Sequence, residues 1–260
     1  MKTELPLLVF TDLDGTLLSH SDYRWDAARL ALERIAEIGG AIVLASSKTA
    51  PEIGTLRQEM GLQDWPAIVE NGAGLLEPHK NTADDRSNYA QLRADMMKIP
   101  ATLRKKFRGF GDMDVAEISE LTGLTPPAAQ HARQRAFSEP GVWSGSDDEK
   151  VDFLKALAAQ GISAREGGRF LTLSFGKTKA DQMATITSRL APRHTIALGD
   201  APNDVEMLET ADFGVIIANP NRSPLPLLRG EKSGRIMRTT LAGPEGWNAA
   251  ILTHLKRLKL

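Results

Sequence analysis

The residues that could do chemistry in this chain stand where apolar runs end. Leu7-Leu8-Val9-Phe10 leads into Thr11-Asp12-Leu13-Asp14-Gly15-Thr16, with two carboxylates one residue apart. Like charges so close are costly unless a cation lies between them or one takes a proton. Ala41-Ile42-Val43-Leu44-Ala45 ends in Ser46-Ser47-Lys48-Thr49, hydroxyls and a cation ahead of a helix start. There Thr49 and Glu52 have capping-box spacing, and Pro51 suits the first turn. A helix start just past a strand end binds anions through its free amides and dipole. Gly176-Lys177-Thr178-Lys179-Ala180 puts lysines at another helix start, where the dipole disfavours them and a nearby anion would justify them. Thr195-Ile196-Ala197-Leu198 ends in Gly199-Asp200-Ala201-Pro202-Asn203-Asp204. The set offers carboxylates for a cation, and hydroxyls, amides and lysine for an anion. Each piece also has a plainer reading: a turn at Asp12–Gly15, helix capping at Ser46 and Ser47, solvated lysines, and an Asn or Asp cap after Asp200.

These ends must be held together by the elements before them. The runs show no polar alternation, which predicts strands buried on both faces in a parallel sheet covered by helices. Such sheets place ligands at their C-terminal edge. Ala28, Leu32, Ile35 and Ile38 recur at helical spacing before Gly39-Gly40, as do Ile53, Leu56 and Met60 before Gly61. Ala67-Ile68-Val69 predicts a third strand, and Glu70-Asn71-Gly72 a turn that shapes the passage out of it. Met183, Ile186 and Leu190 mark a helix, residues 212–218 a strand, residues 219–226 a loop, and residues 245–260 a last helix burying Trp247, Ile251, Leu255 and Leu258. The texture changes after Pro78. Helical spacing appears over residues 89–99, 114–121 and 147–160, and strand character over 107–110, 142–144 and 170–175. The expected architecture is a Rossmann-like, doubly wound α/β core from residues 1–78 and 171–260, with an α+β domain inserted at 79–170.

Composition narrows the partners. The chain has 260 residues, 42% hydrophobic and 25% charged, with a net charge of −1, so nothing global draws it to nucleic acid or an acidic membrane. With no cysteine, thiolate sites are excluded and metal donors are oxygens. His20, His79, His131, His194 and His254 are scattered without zinc-ligand spacing. No apolar run approaches a membrane span, and Met1–Pro6 runs into the first strand without a signal peptide, so the expected compartment is the cytoplasm.

Asp12-Leu13-Asp14-Gly15-Thr16-Leu17 resembles the first motif of the haloacid dehalogenase superfamily, mostly magnesium-dependent phosphatases. Ser46 is similar to its second motif, which holds phosphate, although Ser46-Ser47-Lys48 stands where many relatives have Thr-Gly-Arg. Lys177 matches the third motif's lysine, with Thr178 where relatives often have Gly and Lys179 left as the other choice. Gly199–Asp204 is similar to the fourth motif. The resemblance implies a phosphomonoesterase with Asp12 as nucleophile and Asp14 as acid and base. It also implies Ser46 and Lys177 on the phosphate, and Mg²⁺ held by Asp12, Asp200 and the backbone carbonyl of Asp14, with Asp204 touching the metal through water and Asn203 orienting that shell. Residues 111–114, 133–140, 166–170 and 243–247 resemble one branch, the mannosyl-3-phosphoglycerate phosphatases. In that branch a second anion must be held, for which Ser47, Lys48 and Arg169 are the candidates. The implied partner is a phosphorylated sugar glycerate, bound by a monomer or homodimer. Glucosyl-3-phosphoglycerate, sucrose phosphate or hexose phosphate substrates, a phosphoryl mutase, and a non-catalytic sugar-phosphate sensor remain as alternatives.

Overall fold

Four apolar residues with nothing polar between them lead the chain into Leu8–Thr11 (β1), every residue of which is buried. A single 3₁₀ turn leads into Arg29–Glu37 (α1), then Ala41–Leu44 (β2) and Ala50–Met60 (α2), which Gly61 ends in the left-handed conformation. Ala67–Val69 (β3), Gly74–Leu76 (β4), Ser87–Met96 (α3), Ala101–Arg104 (α4) and Phe107–Gly109 (β5) follow. Next come Val115–Thr122 (α5), Pro126–Arg133 (α6), Ser138–Trp143 (β6), Asp147–Ala159 (α7), Ser163–Gly167 (β7) and Phe170–Ser174 (β8). The chain closes with Lys179–Leu190 (α8), Thr195–Gly199 (β9), Val205–Thr210 (α9), Phe213–Ala218 (β10), Ile236–Ala242 (β11) and Gly243–Leu258 (α10). The computed structural model describes residues 4–83, 85–167 and 169–260. Met1–Thr3 at the chain start, Asp84 in the polar stretch after Pro78 and Gly168 within the 166–170 motif lie outside them.

The chain divides into two units, each assembled from separate stretches. The first comprises residues 1–46, 62–68 and 179–260; the second comprises 47–61 and 69–178. Residues 47–61, 69–78 and 171–178 thus fall in the same unit as the inserted stretch, where α2 lies against α6 and β8 pairs with β6 and β7.

The first unit is built on a fully parallel sheet in the order β11-β10-β9-β1-β2. From β1 the chain turns to β2 on one side, and β9, β10 and β11 are added later on the other. The topological switch therefore falls between β1 and β9, the place where such sheets open a crevice. Register makes the ends level: Thr11 pairs with both Leu44 and Leu198. Asp12, Ser46 and Asp200, each one or two residues further on, share one edge. Helices α1 and α10 pack together, and α8 packs on α9.

The second unit holds an antiparallel sheet in the order β5-β6-β8-β7. Phe107, Leu171 and Leu173 join Leu92, Met96, Phe153 and Leu157 of α3 and α7 in one core cluster. Phe110, Ile118, Ala129 and Ala132 form another, against which Val142 and Phe170 pack. Two elements here carry little apolar signal. Strand β7 is an edge with almost every residue exposed, and α6 is short and alanine-rich behind two prolines.

Candidate active site

Three carboxylates converge at the switch point. One oxygen each of Asp12, Asp200 and Asp204 lies within 4.8 Å of the others, and all three residues are buried. The backbone explains how they meet. After β1 the chain turns sharply, with Gly15 N–H donating to Leu18 O (3.0 Å) and Thr16 N–H to Leu13 O (3.0 Å). Gly15 has φ +85°, and a Cβ there would meet Asn219 Nδ2 at 2.7 Å and Asp200 Oδ2 at 3.3 Å. Only glycine lets this turn pass so close to the Asp200 carboxylate. Thr16 Oγ1 donates to Asp200 Oδ1 (2.9 Å) and Asn219 Nδ2 to Asp200 Oδ2 (2.7 Å), so that carboxylate is gripped from two strand ends. Arg222 Nε lies 3.6 Å from the same Oδ2.

Of the two lysines that the motif left open, Lys179 rather than Lys177 reaches the carboxylates. Lys179 Nζ donates to Asp12 Oδ1 (2.6 Å) and Asp204 Oδ1 (2.7 Å), with its side chain 1% exposed. Lys177 is exposed, two residues before α8 begins. The physical reason is helical phase: Lys179, Gln182, Met183 and Ile186 form the buried face of α8, and Lys179 opens it. Burial works against the Lys179 charge, but Asp12 and Asp204 outweigh it and hold the ammonium above the usual lysine range. The Asp12 carboxyl is pushed up to about 8 by burial and by the Asp204 and Asp200 charges, against the pull of Lys179. Three carboxylates face one buried cation, Lys179, and the half-exposed Arg222, so the cluster is short of positive charge. An all-oxygen carboxylate set of this kind suits a hard divalent ion such as Mg²⁺.

Asp204 is locked from its other side, since the amides of Asp200 (3.1 Å) and Ala201 (3.0 Å) donate to its Oδ2. Asp14 is half-buried in the β1 turn. Ser46 is buried at the end of β2, its N–H donating to Ile68 O (3.0 Å). Asn203 is exposed in the 3₁₀ turn that leads to α9. Asn219 is a site residue that sequence reasoning misses, although it repeats a visible pattern: a polar residue ending a buried strand, as at Asp12 and Asp200.

Ser47, Lys48 and Arg169 belong to the second unit. Ser47 is exposed and its carbonyl accepts from Arg135 Nη1 (3.3 Å); the Lys48 carbonyl accepts from Glu70 N–H (2.9 Å). Arg169 is exposed between β7 and β8, its guanidinium 5.9 Å from the Phe170 ring centroid and its Nη2 3.4 Å from Thr122 O. The 133–140 motif has an architectural job. Glu70, held at φ +52°, accepts from the amides of Ala136 (2.8 Å) and Phe137 (3.1 Å) and from Ser138 Oγ (2.8 Å). Arg135 Nε lies 3.3 Å from the same carboxylate.

Residues 9–142 and 169–224 match the haloacid dehalogenase-like hydrolases. Solved structures share the fold over nearly the whole chain. One is a Thermoplasma acidophilum protein, with a TM-score of 0.64 and 14% identity over 98% of this chain and 99% of that one. Another is the sucrose-phosphatase of Synechocystis, solved with sucrose and phosphate, with a TM-score of 0.63 and 17% identity over 98% of both chains. A third is a phosphatase of the haloalkanoate enzyme superfamily from Bacteroides thetaiotaomicron, with a TM-score of 0.62 and 18% identity over 99% of this chain and 97% of that one. At these identities the likeness is one of fold. Among the described residues no helix is long and apolar enough to cross a membrane.

Proposed function

This chain belongs to the haloacid dehalogenase-like hydrolases, and we propose that it is a Mg²⁺-dependent phosphomonoesterase that works through a phosphorylated Asp12. The observation that carries the reading is the buried set of Asp12, Asp200 and Asp204 around Lys179. A bound Mg²⁺ would neutralise the charge that otherwise keeps a carboxylate from a phosphate dianion, with Asp12, Asp200 and the Asp14 carbonyl as its protein ligands and Asp204 behind them.

The residues then divide the work. Asp12 attacks phosphorus, and the bond from phosphorus to the alkoxide oxygen breaks. Asp14 gives that oxygen its proton, and later takes one from the water that attacks the phosphorylated Asp12. Lys179 holds Asp12 in line and faces the charge that builds on the equatorial oxygens, where Ser46 adds a hydroxyl. Asn203 orients the loop behind Asp200. The test is turnover of p-nitrophenyl phosphate with EDTA and then with Mg²⁺, in wild type and in Asp12→Asn. Activity should vanish with EDTA and return with Mg²⁺, and the variant should lose several orders of magnitude, roughly as other deleted nucleophiles do. A residual tenth of wild-type turnover would sink the assignment.

The preferred substrate on this reading is mannosyl-3-phosphoglycerate, hydrolysed to mannosylglycerate and phosphate. Support comes from the resemblance over residues 133–140, 166–170 and 243–247. The glycerate carboxylate is a second anion, for which Arg169 and Lys48 are the cations on offer, with Ser47 next to Lys48 in the chain. Arg169→Ala should raise KM for this substrate about ten- to a hundredfold and barely change p-nitrophenyl phosphate hydrolysis. The fold shared with a sucrose-phosphatase makes sucrose phosphate, glucosyl-3-phosphoglycerate and hexose phosphates the competitors to include. A higher kcat/KM for one of those overturns the substrate and leaves the phosphatase standing.

A further inference from the structure

Helix α10 reaches the nucleophile's strand through one side chain. Trp247 is fully buried, and its indole Nε1–H donates to Thr11 Oγ1 at 2.9 Å. Thr11 Oγ1 in turn donates to the backbone carbonyl of Asp12 at 2.7 Å. The direction of this chain is forced. An indole nitrogen can only donate, so the threonine hydroxyl must accept there and turn its own proton elsewhere. The Asp12 carbonyl is the partner it meets. On the other side, Asp12 N–H donates to Leu198 O (2.9 Å). The peptide groups on both sides of the Asp12 Cα are thus fixed, one by the sheet and one by the Trp247–Thr11 pair.

The approach of α10 is built for this. A Cβ at Gly246, the residue before Trp247, would lie 2.1 Å from Leu241 O and 3.0 Å from Thr239 Oγ1. Only glycine lets the first turn of α10 settle on the end of β11 and bring the next side chain to Thr11. Gly243, with φ +52°, turns the backbone into the helix.

We infer that Trp247 is a positioning residue for Asp12: through the Thr11 hydroxyl it sets the plane of the Asp12–Leu13 peptide and so the line along which the carboxylate meets phosphorus. The inference rests on the proposed role of Asp12 as nucleophile. Its cost should fall on the rate of the chemical step and not on substrate binding, because neither side chain touches the substrate.

The experiment compares Trp247→Phe, Thr11→Val, Thr11→Ser and the Trp247→Phe/Thr11→Val double variant on p-nitrophenyl phosphate with Mg²⁺. Trp247→Phe keeps an aromatic ring and removes the donor. It should lower kcat about tenfold, the worth of one buried hydrogen bond, with KM within about twofold. Thr11→Val should lose at least as much, the double variant no more than Thr11→Val alone, and Thr11→Ser should recover most of the turnover that Thr11→Val loses. Wild-type kcat in Trp247→Phe, losses that multiply in the double variant, or a change confined to KM would overturn the inference. Proton NMR reads the bond without turnover. The Trp247 indole proton should exchange slowly in the wild type and shift in Thr11→Val; an indole signal that ignores Thr11→Val also overturns it. A wild-type protein without Mg²⁺-dependent turnover would instead refute the phosphatase reading, and the indole signal would still report whether the bond exists.

Discussion

Two buried carboxylate clusters, one in each unit, are built from similar parts and balanced differently. In the second unit Glu70 meets one arginine, two backbone amides and a serine hydroxyl, so its charge and lone pairs are answered within the protein. In the first unit the buried Lys179 pairs with Asp12 and Asp204, and Asp200 beside them has only the half-exposed Arg222. Burying charge is tolerated when it is paired and hydrogen-bonded. Glu70 meets that condition and serves the scaffold: its bonds hold in place a turn in which its own backbone sits at φ +52°. The aspartates are hydrogen-bonded as well, but three carboxylates face only Lys179 and the half-exposed Arg222, and that shortfall of charge is the room left for a cation and a phosphate. Net balance, more than burial or the number of acids, separates the two.

The comparison can be broken most sharply at the lysine. Lys179→Met should lower kcat about a hundred- to a thousandfold, as loss of an oxyanion-facing group does, while Lys177→Met stays within about twofold. The reverse order in steady-state assays, a large loss for Lys177→Met and a small one for Lys179→Met, would return the role to Lys177. A second test sits on the balanced cluster. Arg135→Met strands Glu70 without its cation and should cost about 3–5 kcal/mol of stability in urea unfolding. Mg²⁺ affinity measured by calorimetry on the folded variant should stay unchanged; a weakened Mg²⁺ titration would mean the two clusters are not independent. A smaller effect concerns His254 on α10, buried, with neither ring nitrogen hydrogen-bonded, beside the Phe213 ring. Burial first, and then Arg257, lower its pKa from 6.5 to about 4. The unfolded chain therefore binds the proton more readily. The stabilisation is complete above pH 6.5 and fades as pH falls toward about 4, by up to about 3 kcal/mol. His254→Leu should flatten that part of the stability–pH curve, and parallel curves for variant and wild type would rule the effect out.

Much of the first unit is legible in the order of its residues. The apolar runs form β1, β2, β9 and β10, and the polar residues at the ends of β1 and β9 do meet. Local likeness leaves the choice of lysine open, since Lys177 and Lys179 both sit near a helix start. The deciding signal is nevertheless in the chain: Lys179, Met183, Ile186 and Leu190 keep helical spacing, and Lys177 falls outside it. Strand β11 escapes a reading by apolar runs, because residues such as Arg238, Thr239 and Thr240 on a half-exposed edge lack the run that marks the interior strands. Motif 133–140 is legible as a pattern but not as architecture, since the partner of Arg135 is Glu70, far away in sequence.

The order of the strands also sets a schedule for synthesis. Thr16 and Asp200 bond across 184 residues of sequence, and β1 waits equally long for β9, its neighbour on one side. At ribosomal speeds of about 5–20 residues per second, that interval is roughly ten to forty seconds. Throughout it Leu8–Thr11, among the most apolar strands of the chain, has β2 on one flank and bare backbone on the other. Residues 69–178, meanwhile, emerge as one unbroken stretch holding the whole antiparallel sheet, so the part made in the middle of the chain can settle before the part that was begun first.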